Sequence, residues 1–371
     1  MERLGYAYDP RVLRHRTGAV RVTLPDGSPR TLAPHPSTHR ITEAIDALIR
    51  SSALAPSLLP LGPHMASAEE LELAHDPAYV ARVAALSAAG GGDAGDVAPV
   101  GRDSYEAAAL SVGGAIAAVD AVLDGTLSRA YVLARPPGHH ATRDLGMGYC
   151  LFNNLAIAAL HARRRGVARL AIVDWDVHHG NGTQAIFYRD PAVLAISLHQ
   201  QRWYPRHGGS LEERGEGLGL GATINVPLPP GTGDRGYAMA LSSIVAPALR
   251  RFRPELLLLG AGQDASFRDP LGRMLLSAAG YRELGASVRA LADELCDGRL
   301  VAAQEGGYSP DYTPICTLAT LEGISGLASG IADPHLESSE HQEAASVYSG
   351  ETRDALALAL ACQALAEHVR P

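Results

Sequence analysis

Between Val173 and Gln184 the chain reads V-D-W-D-V-H-H-G-N-G-T-Q, which sets Asp174, Asp176 and His178 two residues apart directly after the apolar run 170–173. Side chains at i and i+2 of an extended strand point the same way. Two carboxylates and an imidazole therefore crowd one side of a buried strand's end, an arrangement that is costly without a cation to neutralise it. Asp176 and His178, joined by Asp264 from the segment G-A-G-Q-D, supply two oxygens and one nitrogen and leave positions open for water and substrate. That is the layout of a catalytic zinc. The plain alternative for a lone Asp-x-His is a hydrogen-bonded strand end, and it loses ground once Asp264 and Tyr308 fall on the same sheet edge.

His139 and His140 follow R-P-P-G, a rigid turn that holds two adjacent imidazoles. Adjacent histidines alone are more often a surface accident. Here Asp174 is placed to orient one ring and Asn181 the other. A carboxylate-paired ring holds its proton more firmly than an amide-paired one, so the two can take different roles. Tyr308, in Q-E-G-G-Y-S-P, follows two glycines that leave the loop free to move and offers a phenol to a developing oxyanion; the plain alternative is a core aromatic. His15, His35, His39 and His64 lack any such framework and read as surface or structural residues.

The elements that must position these groups alternate along the chain. The pattern predicts helices over 105–123, 153–164, 236–251 and 278–295, and strands over 130–134, 170–173, 193–198, 256–260 and 300–303. Strands separated by helical crossovers make a parallel α/β sheet, and ligands in such sheets sit on the loops after the strands' carboxyl ends. His139-His140, Asp174 to His178, Asp264 and Tyr308 each fall at such a place. The glycine-rich stretch 90–96 lacks the strand-turn-helix context of a phosphate cradle and reads as a loop. Arg163-Arg164-Arg165 reads as a solvated helix end that complements the dipole. A final helix is expected over 352–369, within a tail of about 341–371.

The chain has 371 residues, 46% hydrophobic and 19% charged, enough to bury a large core, and reads as one domain over 1–371. No apolar run long enough to span a bilayer and no secretory leader stand out, so a soluble, cytoplasmic protein is expected. Cys150, Cys296, Cys316 and Cys362 are scattered without a C-x-x-C pair and are expected as buried free thiols. A net charge of -8 argues against nucleic-acid binding, which needs a basic face, and suits cationic partners such as basic tails or polyamines. All 32 basic residues are arginine, a coding bias rather than a device.

With these residues assembled, the chain resembles the histone deacetylase family, and within it the class II branch with its bacterial histone-deacetylase-like amidohydrolases. The resemblance is carried by R-P-P-G-H-H-A (135–141), G-Y-C-L-F-N-N (148–154), the 173–184 segment, I-S-L-H (196–199), G-A-G-Q-D-A (260–265), D-P-L-G-R-M (269–274) and Q-E-G-G-Y-S-P (304–310). It covers about residues 5–340. It implies an arginase/deacetylase α/β fold with a central, mostly parallel sheet of about eight strands flanked by helices. Position by position it implies zinc (one Zn2+ per chain) on Asp176, His178 and Asp264, Tyr308 as transition-state donor, His140 as general base and His139 as the partner paired with Asp174. Asn181 is the class II residue at its position.

The same resemblance implies a structural potassium (K+) held by Asp174, Ser197 and main-chain carbonyls around Leu198. It implies a substrate tunnel at Gly148, Tyr149, Tyr204 and Leu271, with Asp96, ahead of Asp93, as the rim acid. Tyr149 and Tyr204 stand where the family usually has phenylalanines. The activity implied is removal of acetyl or other acyl groups from the side-chain amine of acyl-lysine in peptides or proteins, by a chain that is expected to self-associate. Acetylated polyamines are the alternative substrate, although Leu271 stands where the polyamine-selective class II enzyme has glutamate. A catalytically silent acetyl-lysine-binding protein is the non-enzymatic alternative, opposed by the retained Tyr308. An arginase-like two-manganese site needs carboxylates where this chain has Gly180 and Ser266.

Overall fold

Short apolar runs buried on both sides meet in one sheet of the computed structural model, which describes residues 3–338 together with Asp354, Ala355 and Leu358. Its strands are β1 (Leu4–Ala7), β2 (Leu58–Leu61), β3 (Arg129–Val132), β4 (Leu170–Asp174), β5 (Val193–Gln200), β6 (Thr223–Leu228), β7 (Leu256–Ala261) and β8 (Leu300–Gln304). They lie in the order β6-β5-β4-β7-β8-β3-β1-β2, and every neighbouring pair is parallel. Inner strands of such a sheet have no wet face, which is why β7 reads as four consecutive leucines.

Successive side chains of β7 serve two different cores. Leu257 and Leu259 pack with residues of the helices His39–Ser51, Ala278–Leu295 and Thr313–Ser325. Leu256 and Leu258 pack with residues of Ser104–Leu123 and Asn154–Arg164. Period two along the strand thus builds a three-layer α/β/α sandwich. Ser104–Leu123 is the one described helix long and apolar enough to cross a bilayer, and its apolar surface is taken up by the second core.

The helices and strands predicted between residues 105 and 303 are all present, with ends moved by a residue or two. The helix expected over 236–251 runs as Asp234–Ala240 and Ala246–Phe252 joined by one π turn, Leu241–Val245. Pro247 explains the turn, because it lacks an N–H and its ring crowds the preceding helical carbonyls. Strands β1, β2 and β6 were not anticipated. β6 and β2 are the two outermost strands and contain Pro227 and Pro60, the residue that demotes a strand in a local reading and that only an edge tolerates.

The glycine-rich stretch is not a plain loop: Gly91–Asp93 pairs with Pro99–Gly101, and Gly95–Asp96 pairs with Gly146–Met147. Cys150, Cys296 and Cys316 are buried free thiols, as expected. Cys362 lies outside the described residues, as does the helix expected over 352–369 apart from Asp354, Ala355 and Leu358.

Candidate active site

The four strands whose ends carry the suspected chemistry are consecutive in space, β4-β7-β8-β3. The loops after them therefore converge on one point. Asp176 and Asp264 are fully buried, and His178 Nδ1 lies 3.0 Å from a carboxylate oxygen of each. Ligand atoms of the three residues lie within 4.8 Å of one another, so they can share one ion. The remaining lone pairs are held in place by the main chain: Gly306 N–H donates to Asp176 Oδ2 at 2.7 Å and Val177 N–H to Asp264 Oδ1 at 2.8 Å. Gly306 is required by this approach, since a Cβ there would sit 2.1 Å from Asp264 Oδ2. The two glycines before Tyr308 thus serve close packing.

Two buried carboxylates sharing one imidazole fit a divalent cation better than they fit each other. An oxygen-oxygen-nitrogen set with open positions matches zinc chemistry.

His139 Nδ1 is hydrogen-bonded to Asp174 Oδ2 at 2.9 Å, and His140 Nδ1 to Asn181 Oδ1 at 2.7 Å. The rings lie 4.0 Å apart, centroid to centroid. Burial opposes charge on His139, but Asp176 and Asp174 outweigh it and hold its pKa well above the ordinary value. Burial, with His139 and His178 beside it, holds His140 well below. One ring keeps its proton and the other is free to accept one. Tyr308 presents a phenol with no hydrogen-bond partner among the described residues, kept protonated by burial and by Asp264 and Asp176.

These groups open onto a cavity of about 340 Å³ bordered by Gly148, Tyr149, Tyr204 and Leu271 together with His140, His178 and Tyr308. The Tyr204 ring meets His140 edge-on at 5.1 Å, and Tyr149 meets Tyr308 at 5.7 Å. Asp96 lies just outside, 3.4 Å from the Tyr204 hydroxyl, which donates to it. Asp93 accepts from Gly95 and Ala98 and is spent on its own turn. Asp174 and Ser197 border one small cavity of about 10 Å³; Leu198 does not line it.

Sequence reasoning missed several participants. Val97, Trp203 and Pro270 complete the large cavity. Val97 and Tyr149 both have positive φ, of 54° and 72°, a strained conformation for such residues that is held by Tyr149 N–H donating to Val97 O at 2.8 Å. Asp269 accepts the Tyr308 N–H at 2.6 Å and the Leu271 N–H at 2.8 Å, tying the phenol's loop to the rim. Its place inside D-P-L-G was the available signal. Of the histidines set aside, His15 is fully buried and hydrogen-bonded to Ser104, and His64 is exposed beside Glu70. His35 packs against the tunnel wall at Tyr149, 4.6 Å away.

A parallel α/β sheet whose strand ends gather a buried two-carboxylate, one-histidine cluster, a histidine pair and a phenol at the end of an aromatic cavity defines an amide-hydrolase type of site. The histone deacetylase domain matches residues 35–324 of the chain. A histone deacetylase-like amidohydrolase of Pseudomonas aeruginosa is 46% identical over 90% of this chain and 88% of the relative. A probable deacetylase of Archaeoglobus fulgidus is 44% identical over 74% and 76%. Among solved structures, the HD domain of HDA15 superposes with a TM-score of 0.82 at 30% identity, over 97% of this chain and 98% of that one. The chain belongs to the histone deacetylase family, and it is an amidohydrolase of that family's deacetylase type.

Proposed function

We propose that this chain is a zinc-dependent lysine deacylase that removes acetyl or other acyl groups from lysine side chains in peptides or proteins. The observation that carries the reading is the aromatic cavity bordered by His140, His178 and Tyr308, where His178 belongs to the cluster with Asp176 and Asp264, a setting suited to a side chain with an amide at its tip. Zinc, when bound by those three residues, would polarise the amide carbonyl and acidify water. His140, held neutral, takes the proton from the attacking water. Tyr308 donates its hydroxyl to the oxyanion that develops on the former carbonyl oxygen. The C–N bond then breaks as a protonated imidazole of the pair passes a proton to the departing lysine amine. Asp174 and Ser197, with carbonyls near Leu198, are proposed to hold a structural potassium, and Asp96 to engage the substrate backbone at the rim.

A preference for peptide over polyamine is proposed from the charges at the mouth. Arg202 and Arg206 flank Trp203 and Tyr204, and Arg273 stacks on Trp203 at 5.1 Å. All three are exposed, and none pairs with a carboxylate among the described residues. A polycation approaching this rim meets these three guanidinium groups against the single carboxylate of Asp96, a net like charge. The test is kcat/KM on an acetyl-lysine peptide and on acetylspermidine in one assay. The peptide is expected to lead by about tenfold or more, roughly 1.4 kcal/mol of differential transition-state binding. The reverse order would make the protein an acetylpolyamine amidohydrolase.

Asn181→Asp tests the roles within the histidine pair. A carboxylate facing His140 Nδ1 stabilises the protonated ring, raising its pKa by about 1–3 units. Since only the neutral ring accepts a proton, the acid limb of the kcat/KM profile is expected to move to higher pH by about one unit or more. An acid limb left where it was would remove His140 from the role of base.

A further inference from the structure

Glu305 is 5% exposed, follows β8 directly, and has no arginine partner among the described residues. Its Oε2 accepts two main-chain N–H groups, from Gly138 at 2.7 Å and from His139 at 3.1 Å. Its Oε1 has no hydrogen-bond partner among the described residues. One Glu305 oxygen, Cys150 Sγ and a His139 ring nitrogen lie within 4.8 Å of one another. They do not make a second metal site: His139 Nδ1 is taken by Asp174, and burial pushes the Cys150 thiol far from its nucleophilic, ligating form. A buried carboxylate is retained against its desolvation only where its hydrogen bonds matter.

We propose that Glu305 is the positioning residue of the histidine pair: by accepting the Gly138 and His139 N–H groups it fixes the two peptides that lead into His139 and so the point from which the pair starts. The two peptides it grips sit between the Arg135–Pro137 turn and His140, so they set where both rings hang. Asp174 and Asn181 each hold one of those rings by its Nδ1, and each meets its nitrogen only if the backbone is held still. Thr183 N–H donating to His139 O at 3.1 Å anchors the next peptide, the one that joins His139 to His140. The clamp needs an acceptor rather than a charge, since burial pushes the carboxyl up to about 8 and a neutral acid still accepts through Oε2. Glutamine, with one carbonyl oxygen at the same reach, is therefore the conservative replacement.

The inference rests on His140 being the base of the proposed deacylase, so the experiment carries one readout independent of turnover. Glu305→Leu is expected to lower kcat by about tenfold or more with KM within about twofold, because the groups that act in the transition state move while the tunnel does not. In histidine-labelled protein the Nδ1–H resonance of His139 is expected to shift or broaden. Glu305→Gln is expected to restore kcat to within about threefold of the parent and to keep that resonance in place. Should Glu305→Leu fail to fold, Glu305→Asp takes its place: one methylene too short to reach, it is expected to behave like the leucine variant. Glutamine failing as badly as leucine overturns the clamp, as does a shortened or apolar side chain that leaves kcat and resonance unmoved. A parent enzyme silent on every acyl-lysine substrate sinks the deacylase reading instead, and the resonance still decides the clamp.

Discussion

Tyr308→Phe is expected to lower kcat by about a hundredfold to a thousandfold, the effect of deleting one oxyanion donor from a dry site. KM should move little, because the hydroxyl matters to the charge that develops in the transition state and hardly to the resting amide. The substitution is a clean one. Phenylalanine keeps the edge-on contacts with Tyr149 at 5.7 Å and His178 at 6.5 Å, and the loop's tie from Tyr308 N–H to Asp269 is main-chain. The hydroxyl has no partner among the described residues, so its loss orphans nothing and thermal stability should stay near that of the parent. Steady-state kinetics on an acetyl-lysine peptide decide the matter, and near-parental kcat would take Tyr308 out of the mechanism. Binding of the acetyl-lysine peptide by the zinc-loaded parent without any turnover would instead favour the reading of the protein as an acetyl-lysine binder.

Much of this site was legible because its parts are local. Asp174, Asp176 and His178 are placed by the period of a strand, and His139-His140 by a proline turn, so spacing alone puts each set on a strand's carboxyl end. Spacing does not say which strands are neighbours. β3 and β4 are consecutive in sequence, yet β7 and β8 lie between them, and only that insertion brings Asp264, Glu305 and Tyr308 beside the histidines. Glu305 and Asp269 were therefore visible as letters in motifs and invisible as actors, since what they hold are main-chain N–H groups from remote segments. The rim was harder still. Gly95–Asp96 pairs with Gly146–Met147 through backbone alone, and a glycine-rich stretch carries no side-chain pattern to announce a strand. The edge strands β2 and β6 were lost to their prolines for the reason that marks them as edges.

Asp264→Asn is expected to reduce bound zinc from one ion per chain to a small fraction and kcat by about a thousandfold or more, since an amide is a poor ligand and the open site loses its Lewis acid. Asparagine is chosen over alanine because its carbonyl can still accept the Val177 N–H that Asp264 Oδ1 receives at 2.8 Å. The stronger test is stability, where the sign separates a metal ligand from a structural acid. In the parent, zinc at a thousand times its Kd is worth about 4 kcal/mol, so chelation should lower Tm and added zinc restore it. In the variant Tm should not respond to zinc at all. With metal stripped from both, the variant should be at least as stable as the parent, because it no longer forces two fully buried carboxylates to share His178. A structural acid would give the opposite order, with the metal-free variant less stable than the metal-free parent. That order, or stoichiometric zinc in the variant, would remove Asp264 from the ligand set and leave Asp176 and His178 without the third donor that makes the site catalytic.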